Sequence, residues 1–151
     1  MFHVVLFRPE IPGNTGNIIR LCANIGARLH LIHPLGFQLE DKQLRRAGLD
    51  YHELTVINEH QSLEAFQAAV APRRLFALST RGKRHYDEVK YEQGDALIFG
   101  QETAGLPAPL LAELGPEHVL RIPMQPGARS LNLGNAAAIV LYEAWRQLGF
   151  K

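Results

Sequence analysis

Ala96-Leu97-Ile98-Phe99-Gly100-Gln101-Glu102-Thr103-Ala104-Gly105-Leu106-Pro107 runs from an unbroken apolar stretch, through glycines and polar side chains, to a proline that can open a helix. Four apolar residues without alternation read as a strand covered on both faces, the habit of a parallel sheet. A Gly-rich turn between such a strand and a helix is where an open α/β sheet carries its ligand loops. Two other stretches repeat the pattern. Val4 to Phe7 leads to Pro12-Gly13-Asn14-Thr15-Gly16-Asn17 and on into Ile18-Ile19-Arg20. His118 to Ile122 leads through Pro123-Met124 to Arg129-Ser130-Leu131-Asn132-Leu133-Gly134-Asn135. Three such loops imply one composite site.

Working outward, further strands are expected over Leu29 to Ile32, Leu54 to Ile57 and Leu75 to Ser79. Helices are expected over 14–25, over 40–48 with Gly48 as its stop, over 61–70 ended by Pro72, over 108–114 and over 132–148. Residues 81–94 read as polar and irregular. Strand and helix alternate throughout, which predicts an α/β protein with a mostly parallel sheet flanked by helices. A length of 151 residues fits one domain, 1–151, with a core of its own. The 46% apolar and 21% charged composition is that of a soluble globular chain. No apolar stretch approaches the roughly 20 residues that span a bilayer, and Met1 to Phe7 reads as a first strand rather than a signal peptide. The expected location is the cytoplasm, with no membrane partner.

Other chemistries lose their support at this level. Cys22 is the one cysteine, so there is no internal disulfide or Cys-based metal cage, and no metal is expected. It sits on the apolar stripe Ile18, Leu21, Cys22, Ile25 and reads as a small core side chain. The seven histidines look dispersed; His30 and His33, at odd spacing, point to opposite faces and read as structural. There is no G-x-G-x-x-G after the first strand, no G-x-x-x-x-G-K-[ST], no G-x-S-x-G and no H-E-x-x-H.

Asn17, Arg20 and Asn24 lie three and four apart and form one ridge on their helix. A polar stripe alone is ordinary surface. Amides with one Arg, entered through glycines, suit an anionic or hydroxyl-rich ligand. The final helix is apolar all round from Ala136 to Tyr142, so it needs the sheet on one side and a second copy of the chain on the other. Formal charge is only +1, yet cations cluster at Lys42, Arg45 and Arg46, at Arg73 and Arg74, and at Arg81, Lys83 and Arg84. Each cluster alone is an ordinary solvated run; several on one dimer would make an RNA footprint.

Pro9 to Asn24, Leu44 to His52, Phe99 to Pro107, Ile122-Pro123-Met124 and Ser130 to Asn135, taken in order, resemble the SPOUT RNA 2′-O-methyltransferases. Within them the closest likeness is to the group that methylates the wobble nucleotide, C or a side-chain-modified U, of leucine tRNAs. The resemblance implies a SPOUT fold whose C-terminal segment is threaded into a deep trefoil knot, which secondary-structure reasoning alone would not give. It implies S-adenosyl-L-methionine as cofactor, held by Leu78, Gly100, Ile122, Ser130 and Leu131, with Asn132 beside them. Gly100 would let main chain approach the adenosine, and Leu78 and Ile122 would cover the adenine. It further implies a homodimer built on the first and last helices, with Arg20 serving the partner's cofactor. The tRNA anticodon stem-loop would meet Asn17, Arg45, Arg46 and Tyr142.

Catalysis is expected from Arg20, Asn132 and Glu102. Guanidinium resists deprotonation, so Arg20 is read as fixing the ribose or its phosphate and easing the developing alkoxide. Glu102 is read as orienting amides or substrate. Capping competes as a role for each asparagine. Rival readings are a SPOUT enzyme for ribosomal RNA or another tRNA position, a non-catalytic RNA binder on the same scaffold, and a small-molecule α/β binding protein.

Overall fold

The computed structural model describes residues 1–46 and 57–151. Among them are strands β1 His3–Phe7, β2 Arg28–Ile32, β3 Ile57–His60, β4 Leu75–Leu78, β5 Arg84–His85, β6 Ala96–Phe99 and β7 Val119–Arg121. The helices are α1 Pro12–Ile25, α2 Lys42–Arg46, α3 Leu63–Val70, α4 Ala108–Leu114 and α5 Leu133–Gln147. The strands form one sheet in the order β3-β2-β1-β6-β4-β7-β5, and every strand pairing is parallel.

Helices cover both faces, which is why β4 and β6 are buried at every position. On one face Val4, Leu6, Leu31, Leu97 and Leu120 pack with α1, α2 and α5; on the other Val5, Ala77 and Ile98 pack with α3 and α4. The chain builds β2 and β3 to one side of β1 and the remaining strands to the other. That reversal is the switch point at which α/β sheets open a crevice outside their carboxyl ends.

Four local readings are corrected. The helix expected over 14–25 starts two residues earlier, so Gly13-Asn14-Thr15-Gly16 lies wholly within the first turns of α1, because Pro12 at the helix start needs no amide partner and presets φ. The irregular 81–94 stretch contains β5, two residues paired on one side only, with β7. Of the strand expected over 54–57 only Ile57 is among the described residues, and β3 runs on from it through His60; 54–56 lie outside them, as does the Gly48 stop of α2. The arginines at 73, 74 and 84 are structural. Arg73 pairs with Glu92, and Arg74 grips the buried Asp95 through both carboxylate oxygens at 2.9 and 2.7 Å. Arg84 donates to the main-chain oxygen of Glu117 at 2.8 Å.

Three of the seven histidines are gathered rather than dispersed. Parallel register sets Val5 beside His30 and Ile32 beside His60, so His3, His30 and His60 fall on one sheet face, each two residues offset from the next. His3 Nδ1 lies 3.0 Å from His30 Nε2, and His30 Nδ1 lies 2.9 Å from His60 Nε2. Phe66 of α3 meets the His30 ring edge-on at 4.9 Å between centroids. Burial, then the charges of His3, His60 and Arg28, push His30 from its ordinary 6.5 down to about 3. Burial also lowers His3 and His60.

A proton binds these rings less readily in the folded chain than in the unfolded one, so stability is full above pH 6.5 and is lost as pH falls from there towards 3. His30 alone should remove about 2 kcal/mol by pH 5, at about 1.4 kcal/mol per pH unit. Urea unfolding at pH 7.5, 6 and 5 should show this slope, and His30→Leu should flatten it.

Candidate active site

The loops that leave the carboxyl ends of β1, β4, β6 and β7 converge on one cavity of about 580 Å³. Its apolar lining comes from Leu78, Phe99, Leu106, Ile122, Met124 and Leu133; its polar lining includes Asn14, Ser79, Thr80, Gln101, Arg129 and Ser130. Every residue expected to hold a cofactor lies there: Leu78, Gly100, Ile122, Ser130 and Leu131, together with Glu102 and Asn132.

The 100–106 segment is a tight hairpin. Gly105 donates to the Gln101 oxygen at 3.0 Å and adopts φ +67. A Cβ on Gly100 would stand 2.3 Å from Gly105 C and 2.4 Å from Leu106 N. The lack of a side chain at Gly100 thus also lets its own hairpin close against it, at a position that lines the cavity.

Glu102 does not stand ready as a base. Its Oε2 accepts the Glu10 N–H at 2.9 Å and its Oε1 the Ile11 N–H at 3.2 Å. Ile11 is the N-cap of α1 and offers no side-chain cap; this carboxylate takes the N-cap amide and the amide before it, at the positive end of the helix. Glu102 is the one carboxylate lining the cavity among the described residues, and no histidine lines it.

Asn132 also has structural duties. Its Oδ1 accepts the Asn135 N–H at 3.2 Å and caps α5, while its Nδ2 donates to Asn14 Oδ1 at 3.0 Å and ties α5 to the first turn of α1. Asn14, Gln101, Arg81 and Arg129 are lining residues absent from the sequence-based site. Asn14, Gln101 and Arg129 stood inside the quoted loops, and their placement there was the available signal.

The other expected residues are not in this cavity. Asn17, Arg20 and Asn24 form the exposed ridge of α1; Arg45 and Arg46 are exposed at the end of α2; Tyr142 is exposed on α5. Cys22 is fully buried, and burial pushes its thiol up to about 12, so it is an inert core side chain.

A parallel α/β sheet with four carboxyl-end loops closed over an amphipathic cavity is the construction of a cofactor-binding α/β protein. Comparison gives the family. Residues 1–142 match the SpoU rRNA Methylase family, and the chain belongs to it. A tRNA (cytidine(34)-2′-O)-methyltransferase of Methylovorus glucosotrophus is 58% identical over 99% of this chain and 97% of its own. The enzyme of that name in Escherichia coli K12 is 58% identical over 99% and 96%. A solved structure described as giving insight into the 2-OH methylation of C/U34 on tRNA superposes with a TM-score of 0.91, at 46% identity, over 100% of this chain and 98% of that one. An AdoMet-bound rRNA methyltransferase of Sinorhizobium meliloti gives 0.84 at 32% identity, over 97% of this chain and 56% of that one.

Gly100→Ala should cost about 2 kcal/mol or more, since only main chain faces the added methyl. Chemical unfolding of the variant beside the parent chain measures this.

Proposed function

We propose that this chain transfers a methyl group from S-adenosyl-L-methionine to the ribose 2′-hydroxyl of nucleotide 34 in tRNA, as a single cytoplasmic domain working in a homodimer. The observation that carries this is the gathering of every expected cofactor residue into one cavity in a chain 58% identical, end to end, to enzymes of that name. The cavity fits the group: about 580 Å³ is room for a nucleoside-sized ligand, with apolar cover at Leu78 and Ile122 and hydroxyls at Ser79, Thr80 and Ser130. When bound, the cofactor supplies the electrophilic methyl.

The chain's own residues position the acceptor. Arg20 holds the ribose or its phosphate and eases charge on the 2′-oxygen. Both Glu102 oxygens are engaged by main chain, so the hydroxyl proton passes to water or a phosphate oxygen. Glu102 and Asn132 position the loops. Asn17, Arg45, Arg46 and Tyr142 meet the anticodon stem-loop. At the cavity itself Arg81 and Arg129 have no side-chain partner among the described residues and are placed to receive phosphates.

Dimerisation is supported by exposed apolar side chains on and beside the paired helices α1 and α5: Ile11 at 45%, Leu131 at 37%, Ile139 at 36% and Tyr142 at 43%. A threaded C-terminal segment is supported by the 79–83 connection, which crosses β7 closely before the chain returns to α5. Ser79 donates to the Leu120 oxygen at 2.9 Å, and a Cβ on Gly82 would stand 2.7 Å from Leu120 C.

Mapping ribose methylation at position 34 of leucine tRNAs, in cells with and without the gene, tests the reading; a mark that survives deletion overturns it. Arg20→Lys should lower turnover about a hundredfold or more with S-adenosylhomocysteine affinity held, and unchanged turnover would refute the assigned role. Affinity for tRNA should fall steeply between about 50 and 200 mM salt, and Arg81→Gln with Arg129→Gln should flatten that dependence in a filter-binding titration.

A further inference from the structure

Glu10 and Glu102 exchange carboxylates across one wall of the cavity. While Glu102 takes the amides of Glu10 and Ile11, Glu10 Oε1 accepts the Thr103 N–H at 3.2 Å and the Thr103 hydroxyl at 2.7 Å. Four hydrogen bonds thus join segments 91 to 93 residues apart in sequence. Each carboxylate serves the main chain of the segment that bears the other, so displacing either strand of the join strains both. There is little slack behind Glu10: Gly36 donates to the Pro9 oxygen at 2.9 Å, and a Cβ on Gly36 would stand 2.9 Å from Glu10 Cα. Ile11 and Asn14 on one side of the join, and Gln101 to Gly105 on the other, all line the cavity.

We propose that Glu10 is a positioning residue for the cofactor, which with Thr103 locks the 101–105 hairpin against the start of α1 and so sets the width of the cofactor cavity. The inference rests on the cofactor reading above. Bonds to a carboxylate are the stronger kind of hydrogen bond, but Glu10 and Glu102 are only part-buried and Thr103 is exposed. Water therefore replaces the lost partners at little cost in global stability. Without Glu10 the hairpin keeps its Gln101–Gly105 pairing and its Glu102 contacts, yet tilts on them. The effect belongs to ligand affinity rather than to folding.

Calorimetric titration with S-adenosylhomocysteine, alongside thermal unfolding, separates the outcomes. Glu10→Ala should weaken binding about tenfold, the effect of losing a bond pair worth about 1.4 kcal/mol, with its melting temperature within a few degrees of the parent. Glu10→Gln keeps the acceptor oxygen and should bind within about twofold of the parent. Thr103→Val, which removes one exposed hydroxyl and leaves the fold intact, should weaken binding about threefold on the parent and add nothing to Glu10→Ala, as expected of partners in one join. Parental affinity in Glu10→Ala, or in Thr103→Val should Glu10→Ala not fold, overturns the inference alone. Absence of binding by the parent chain overturns the cofactor reading and the inference with it.

Discussion

The seating of β7 between β4 and β5 is the constraint on which the cavity depends. β7 has three residues, with Val119 and Leu120 buried. It pairs with β4 through Ala77 and Leu78 and with β5 through Arg84 and His85. Only this placement brings the 122–132 segment beside the loops that follow β4 and β6. The constraint is severe at Gly82, where the main chain of Val119 and Leu120 occupies the space any side chain would need. A glycine at that point is thus required by the close approach of the 79–83 connection to β7 rather than by turn geometry.

Once the loops are at one edge, polar groups rather than apolar packing hold them in relation to one another. The first turns of α1 and α5 both end at the cavity, and each has amides that the helix cannot satisfy. From the β6 loop Glu102 meets the amides of the α1 N-cap Ile11 and of Glu10 before it, and Asn132 meets the Asn135 amide of α5 while reaching across to Asn14. The same atoms that complete the helix ends therefore join the walls of the site. Side chains with structural work to do stand where sequence reasoning placed catalytic ones, since capping and catalysis draw on the same small polar residues.

Legibility followed burial. β1, β4 and β6 read correctly because every residue in them is apolar or nearly so, and α5 because its length and composition leave no other choice. β3 was not read beyond Ile57, because Asn58 and Glu59 are exposed and polar and His60 turns to the imidazole file, which leaves no apolar alternation. β5 did not, because two residues paired on one side leave no periodicity to find. The site's loops were visible as glycine and amide clusters, and their convergence follows from parallel topology. The assignment to ribose methylation came from family resemblance in those clusters; the alternation of strand and helix gave only the α/β class. Charge was the least transparent property: Arg73, Arg74 and Arg84 look like a nucleic-acid surface until Glu92, Asp95 and the Glu117 carbonyl are set against them.

The imidazole file of His3, His30 and His60 has a consequence for proton traffic. Each neutral ring carries one N–H and one lone pair, so the three can be wired in either direction, with His30 donating towards β1 and accepting from β3 or the reverse. Both wirings satisfy the buried ring and neither moves a heavy atom. When one end ring takes a proton from solvent and the other releases one, hops along the file reverse it, so the N–H of a ring only 2% exposed can trade with solvent hydrogens through its better-exposed neighbours. A ring that the fold buries thus keeps an exchange route to the surface along one line of imidazoles.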